Sequence, residues 1–297
     1  MTFLNLLSKE FPTLQVLDAE PLSNHTSFRI GGPAPMAFPA TPQELTDVYR
    51  FCISHGQKVM VLGAGTNVLA PDAGMDTLIL CTKAMTEIKD MGNGIIEAQC
   101  GISMAKLACF ARDLGLTGLE FAHGIPGSVG GGVYMNAGAY GGEMCQVAIE
   151  TTALLPDGTI WAAKGEEQGF SYRNSAFQQK QAVILSARFA LQAGDREEIQ
   201  ARMLELANKR RASQPLDKPS AGSTFKRPVG GYAAALIDQA GLKGKGVGGA
   251  AVSEKHAGFV VNLGGATAAD VLATMELVKQ EVYANSGIRL EPEVRIW

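Results

Sequence analysis

The stretch His123-Gly-Ile-Pro-Gly-Ser-Val-Gly-Gly-Gly132, continued by Met135-Asn136-Ala137-Gly138-Ala139-Tyr140-Gly141-Gly142, decides how the rest of the chain is read. Eight glycines fall between 124 and 142, and no Lys, Arg, Asp or Glu interrupts residues 123–132. A surface turn needs one or two glycines. Eight, with small residues between them, predict backbone lying against a flat or phosphorylated ligand, because a missing Cβ allows close approach. Phosphates there would be held by backbone dipoles and hydroxyls, not by cations.

Gly63-Ala64-Gly65-Thr66-Asn67 forms a second candidate cradle. It directly follows Lys58-Val-Met-Val-Leu62, an apolar run that reads as a buried strand. Taken alone, this loop is explained equally well as a plain turn. Two such loops together imply an extended ligand, such as a dinucleotide cofactor. The formal GxGxxG at Gly244, Gly246 and Gly249 follows a helical pattern instead of a strand, so it is rejected as a dinucleotide fingerprint.

Working outward, Thr41-Pro42-Gln43-Glu44 opens a helix by a capping box, with Leu45, Val48, Cys52 and Ile53 on one face and Gly56 as the stop. Ser103 caps a helix to Leu114. Hairpins are predicted at Gly92-Asn93-Gly94 and Pro156-Asp157-Gly158, and a strand at 182–191. Asp195 and Glu198 open a long helix with a stripe of Ile199, Met203, Leu206 and Ala207. Thr267 with Asp270 caps a last helix carrying Val271, Leu272, Met275, Val278 and Val282. Strands arrive as hairpins and pairs, which favours an α+β fold over a doubly wound sheet.

The chain has 297 residues, 35 of them Gly, with 46% hydrophobic and 19% charged residues. That supports packed cores and two or three domains, and argues against disorder. A net charge of −3 argues against nucleic-acid binding; Lys209-Arg210-Arg211 is the one dense basic stretch. No apolar run approaches the ~20 residues of a membrane span. The first residues show no cationic leader, and a cytoplasmic protein is expected. Five scattered cysteines and four dispersed histidines give neither a disulfide frame nor a metal motif, so no metal is expected.

The glycine loops, together with Asn24-His-Thr-Ser-Phe-Arg-Ile-Gly-Gly32, Ser171-Tyr-Arg-Asn-Ser175, Ala221-Gly-Ser-Thr-Phe-Lys-Arg-Pro228 and Glu291-Pro-Glu-Val-Arg295, resemble the UDP-N-acetylenolpyruvoylglucosamine reductase family. The ordered set runs from about residue 20 to the C-terminus and is more specific than any one motif. The resemblance implies an FAD-binding fold of the vanillyl-alcohol-oxidase (PCMH) type followed by a smaller α+β substrate-binding domain. The expected division is 1–57 and 58–193 for two FAD-binding subdomains and 194–297 for the substrate domain. It further implies non-covalent FAD, NADPH as electron donor, and UDP-N-acetyl-enolpyruvoylglucosamine as substrate, reduced to UDP-N-acetylmuramate in peptidoglycan precursor synthesis.

By the same resemblance Arg173, Ser223 and Glu293 match the catalytic arginine, proton-donating serine and catalytic glutamate. A guanidinium fork suits a carboxylate that gains charge, and a hydroxyl suits proton delivery to carbon. The cofactor is expected on Gly63, Ala64, Gly65, Thr66, Asn67 and Val68, and on Gly124, Ile125, Pro126, Gly127, Ser128, Gly131, Asn136, Ala137 and Gly138. Substrate contacts are expected from Tyr172, Lys218, Lys226, Arg227, His256 and Arg295, with Arg211 and Gln214 behind them. Between Arg227 and His256 there is no room for the tyrosine-bearing insertion of longer members, so the chain resembles the shorter class. Arg227 and Gly258 both stand where Asn is expected.

Two alternatives stay open on sequence. One is another FAD oxidoreductase of the same fold, a sugar or alcohol oxidase, with His123 as a possible covalent anchor. The other is a non-catalytic nucleotide-sugar binding protein, although it would need only one phosphate cradle.

Overall fold

Capping chemistry fixes where the helices start. The Thr41 hydroxyl accepts the Glu44 N–H at 3.1 Å, and the Glu44 carboxylate accepts the Ala40 N–H at 2.7 Å. Orphan amides at the entry of the Pro42–Ser54 helix are thereby satisfied. Its buried face is Leu45, Val48 and Cys52, and Gly56 ends it at φ +68°. Ser103 caps Met104–Asp113 in the same manner, and Gly115 follows at φ +68°. The Asp195 carboxylate accepts the N–H groups of Glu197 and Glu198 and opens Arg196–Ser213. Thr267 and Asp270 cap each other's amides at the head of Ala268–Ser286. Val271, Met275, Val278 and Val282 are buried along that helix, whereas Leu272 is 39% exposed. One residue on, it sits about 100° around the helix from Val271 and falls off the stripe.

The computed structural model describes residues 2–297; Met1, the first residue of the expected 1–57 subdomain, lies outside the described residues. Packing divides the chain into two units. Among the described residues the first comprises 2–18, 35–64 and 77–209, and the second 19–34, 65–76 and 210–297.

The first unit is organised by two sheets. One runs Gln15–Pro21, Pro33–Phe38, Leu78–Cys81, Val59–Leu62, and the last two pairings in that order are parallel. The parallel arrangement departs from the expectation of hairpins and simple pairs. The Pro42–Ser54 helix is the crossover between Pro33–Phe38 and Val59–Leu62, which parallel strands require. The other sheet runs Ile160–Lys164, Ala148–Leu154, Val183–Ala190, Ile95–Gln99, Ile88–Gly92, antiparallel throughout. Both predicted hairpins are in it. One core serves both sheets, with Phe177, Phe189, Leu45, Leu80 and Ile96 fully buried. The sequence boundary at 57/58 therefore cuts a helix from a strand of its own sheet. The sheet-to-sheet junction lies between Cys81 and Ile88.

The second unit packs Ala233–Gln239 and Ala268–Ser286 on a three-stranded antiparallel sheet, Gly246–Val247, Ala250–Val252, Val260–Asn262. Its core contains Phe28, Leu69, Phe225, Val271 and Val278. The boundary expected at 193/194 moves to 209/210, since the stripe residues Ile199 and Met203 pack in the first core. Gly246 and Val247 pair with Ala251 and Ala250, so the rejected GxGxxG is a β-hairpin. Two early segments join this unit. Val68–Leu69 pairs in parallel with Arg295–Ile296, and the Asn262 side chain donates to the Phe28 carbonyl at 3.0 Å. Among the described residues no helix is long and apolar enough to cross a membrane.

Candidate active site

Gly63 and Ala64, the start of the first loop, meet the second glycine loop within the first unit, and Gly65, Thr66 and Asn67 belong to the second unit. An added Cβ on Gly63 would stand 2.5 Å from the Ser128 hydroxyl oxygen, so a larger residue there would displace that side chain where the strand end passes the second loop. The second loop is held from behind. Met104 N–H donates to the Gly127 carbonyl at 3.0 Å, Val129 N–H to Ile102 at 2.7 Å, and Gly130 N–H to Cys100 at 2.8 Å. In front, the amides of Gly63, Ala64, Gly127 and Ser128 donate to no protein acceptor among the described residues. Buried or half-buried N–H groups are nearly always paired. Four of them around one contact form an anion cradle built from backbone dipoles. They fit the phosphates of a dinucleotide such as FAD.

Other glycines of the stretch have a different job. Added Cβ atoms would stand 2.8 Å from Cys100 Cβ at Gly130, 2.7 Å from Met104 Sδ at Gly132, and 2.6 Å from Glu143 Cγ at Gly138. Gly142 packs on the Phe121 ring. These positions are small because protein lies against them. Asn136 is 1% exposed with φ +43°, and its amide is engaged by protein. Nδ2 donates to Glu143 at 3.0 Å and to the Ser171 carbonyl at 3.1 Å, and Oδ1 accepts the Cys145 N–H at 2.9 Å. Ala137 exchanges backbone bonds with Gly132 and Met144. Asn136, Ala137 and Gly138 thus tie the glycine stretch to the Ser171–Ser175 segment.

Arg173 sits at the tip of that segment. Ser171 and Asn174 bond each other's backbones, and the Gln178 side chain donates to the Arg173 carbonyl at 3.1 Å. The turn holds Arg173 at φ +54°, a left-handed conformation that costs a non-glycine residue about 1–2 kcal/mol. Its guanidinium lies 5.1 Å from the centroid of Tyr172, a ring that is 49% exposed. Strain of this kind persists where the surrounding structure over-determines the backbone.

Ser223 and Glu293 belong to the second unit, where buried Thr224 joins their segments. Thr224 N–H donates to the Gly258 carbonyl at 2.8 Å, and its hydroxyl accepts the Val260 N–H at 2.9 Å. On its other edge, Glu293 N–H donates to the Thr224 carbonyl at 2.8 Å. Lys226 N–H to Glu291 O, at 2.9 Å, continues the ladder. Ser223 is exposed, and its hydroxyl has no protein partner among the described residues. Val294 is buried, so strand alternation turns Glu293 away from the core.

The expected substrate contacts divide between the units. Tyr172 is in the first; Lys218, Lys226, Arg227, His256, Arg295, Arg211 and Gln214 are in the second. Lys226 pairs with Glu291 at 3.4 Å, and Arg227 lies over the Tyr232 ring at 3.9 Å from its centroid. Gln214 accepts from Arg210 Nε at 2.8 Å, and the Arg211 carbonyl accepts from Lys255 Nζ at 2.6 Å. Lys218 and Arg211 are exposed. His256 Nδ1 accepts the Gly258 N–H at 3.1 Å, which leaves the proton on Nε2. Burial, aided by the charge of Lys243, pushes its pKa below the ordinary 6.5.

That ring explains a glycine that the sequence left without a reason. An added Cβ on Gly258 would lie 3.0 Å from His256 Cε1 and 3.2 Å from Ala234 Cβ. Gly258→Ala is expected to destabilise the protein by about 1–2 kcal/mol. The loss should shrink in a His256→Ala background, because half of the crowding is the imidazole. Thermal unfolding of the four variants of this cycle measures the coupling.

Sequence reasoning missed Thr224, whose signal is only a Thr beside the expected serine. His123, which the sequence offered only as a possible covalent anchor in the oxidase alternative, is also placed here. His123 Nδ1 is buried with no hydrogen-bond partner among the described residues, directly before Gly124. Burial first, then the charge of Arg112, pushes its pKa below the ordinary 6.5.

A PCMH-type glycine-loop unit followed by a smaller α+β unit defines an FAD-binding oxidoreductase with an attached substrate domain. The FAD binding domain model matches residues 33–164, and the model of the UDP-N-acetylenolpyruvoylglucosamine reductase C-terminal domain matches 214–297. The UDP-N-acetylenolpyruvoylglucosamine reductase of Limosilactobacillus reuteri is 47% identical over 98% of this chain and 97% of its own. That of Syntrophomonas wolfei is 44% identical over 93% of each. The crystal structure of the Thermus caldophilus enzyme superposes with a TM-score of 0.83 at 34% identity, covering 96% of this chain and 99% of that one. An alkyldihydroxyacetonephosphate synthase shares the fold over 64% of this chain, with a TM-score of 0.50 at 15% identity. The chain belongs to the UDP-N-acetylenolpyruvoylglucosamine reductase family.

Proposed function

We propose that this protein is the NADPH-dependent flavoenzyme that reduces UDP-N-acetyl-enolpyruvoylglucosamine to UDP-N-acetylmuramate, a cytoplasmic step in making peptidoglycan precursors. The observation that carries the reading is a match to these reductases over nearly the whole length of the chain. The loops 63–68 and 124–138 hold FAD, with the amides of Gly63, Ala64, Gly127 and Ser128 on its phosphates. Bound FAD supplies hydride acceptance from NADPH and hydride delivery to the enolpyruvyl double bond.

The chain's own residues do the rest. The Arg173 fork binds the substrate carboxylate and stabilises the negative charge that grows there as the double bond is reduced. Ser223, whose hydroxyl is not used by the fold, delivers the proton to the α-carbon. Glu293, on the neighbouring segment, orients substrate or relays the proton. Lys218, Lys226, Arg227 and Arg295 supply cationic partners for the diphosphate, and Tyr172 and His256 polar contacts.

Mixing the purified holoprotein with NADPH, and then with the UDP-enolpyruvyl sugar, tests the whole scheme. The flavin absorbance should bleach and then return anaerobically. A flavin that NADPH does not bleach, or that the sugar does not restore, refutes it. Flavin that stays with acid-precipitated protein would favour the covalent oxidase reading instead.

A further inference from the structure

We propose that Asn67 is a positioning residue for Glu293, so that the cofactor loop and the catalytic carboxylate are one mechanical element. This rests on Glu293 being the catalytic glutamate. Asn67 is expected from sequence to face the cofactor. In the second unit, however, its side-chain Nδ2 donates to the Glu293 carbonyl at 3.1 Å, and its own carbonyl accepts the Arg295 N–H at 3.0 Å.

The reason lies in how the C-terminal strand changes partner. Glu291 and Glu293 bond the segment around Thr224 and Lys226. From Arg295 onward the strand pairs with Val68–Leu69 instead, and Trp297 N–H donates to Leu69 at 3.1 Å. Glu293 stands at the switch. Its N–H is held by Thr224 on one side and its carbonyl by the Asn67 amide on the other. With both peptide groups fixed and Val294 buried beneath, the backbone fixes where the Glu293 side chain leaves the strand. A side-chain amide is needed at 67 because the Glu293 carbonyl lies one step before the backbone ladder with Val68 begins.

Asn67→Ala and the near-isosteric Asn67→Asp both remove the donor. Each should slow reoxidation of reduced flavin by the enolpyruvyl sugar at least tenfold, since a misplacement of about 1 Å can cost a hundredfold. Because Asn67 also lies on the cofactor loop, reduction by NADPH is measured in the same variants, and the oxidative step should lose more than the reductive one. In a Glu293→Gln background the same substitutions should cost less than about threefold, because the group they position is already gone. Equal losses in both backgrounds overturn the proposal, as does weakened FAD retention with an unchanged oxidative step.

A second readout needs no turnover. In cofactor-free protein, the Glu293 amide should exchange with solvent about fivefold faster in Asn67→Ala than in the parent, as expected for one lost hydrogen bond nearby. If Glu293→Gln leaves the oxidative step unchanged, the catalytic assignment falls and this exchange measurement decides the positional claim. Equal protection in the two proteins overturns it.

Discussion

Arg173→Ala is expected to slow reoxidation of the reduced flavin by the enolpyruvyl sugar by about a hundred- to a thousandfold, the usual loss when a preorganised partner of a developing anion is removed. Reduction by NADPH should be nearly unaffected. Stopped-flow measurement of the two half-reactions separates them, and a defect confined to the NADPH step would remove Arg173 from substrate chemistry. The backbone gives an independent check. Arg173 is held at φ +54° by the Ser171–Asn174 turn and by Gln178. Arg173→Gly and Arg173→Ala lose the same guanidinium, but only Gly tolerates that conformation freely. The Gly variant should therefore be more stable than the Ala variant by about 1 kcal/mol, with activity equally low in both. Arg173→Lys keeps the charge and loses the fork, so it should recover only part of the rate.

The position of Arg173 illustrates what a sequence can carry. Its expected role comes from the family resemblance that Ser171-Tyr-Arg-Asn-Ser175 helps carry, and the turn that holds it is local. The same is true of the helix starts at Thr41, Ser103 and Thr267, where a capping hydroxyl and the amide that donates to it lie within four residues. Non-local pairings were not legible. Nothing in Pro33–Phe38 states that it pairs in parallel with Leu78–Cys81, and nothing in Val68–Leu69 states that Arg295–Ile296 lies beside it. Those pairings are settled by which apolar faces remain to be covered once the local elements exist. The second unit is assembled from three separate segments for this reason. Glycine shows the same limit. Gly63 and Gly127 carry amides proposed to hold phosphate, whereas Gly130, Gly132 and Gly142 accommodate Cys100, Met104 and Phe121. Sequence sees a glycine, but only packing tells whether ligand or protein occupies the missing Cβ. Gly258 makes the case most plainly, since its reason is a ring two residues away.

Ser223→Ala should reduce product formation by about a hundred- to ten-thousandfold, the range for loss of a general acid. NADPH should still bleach the flavin at the parent rate. The fold should be indifferent, because Ser223 is exposed and its hydroxyl has no partner among the described residues, and such substitutions stay within about 0.5 kcal/mol. Thr224 gives the opposite pattern one residue away. It is 1% exposed and its hydroxyl takes the Val260 N–H, so Thr224→Val should cost about 1–3 kcal/mol of stability by leaving that amide unpaired. The pair distinguishes chemistry from support: Ser223→Ala loses rate without stability, and Thr224→Val loses stability first. Ser223→Cys retains a transferable proton at the same place, and measurable turnover by it would tie the defect to proton delivery. An unchanged turnover in Ser223→Ala would mean that the proton comes from elsewhere, and Glu293, held on the other edge of Thr224, is then the group in reach of the same segment.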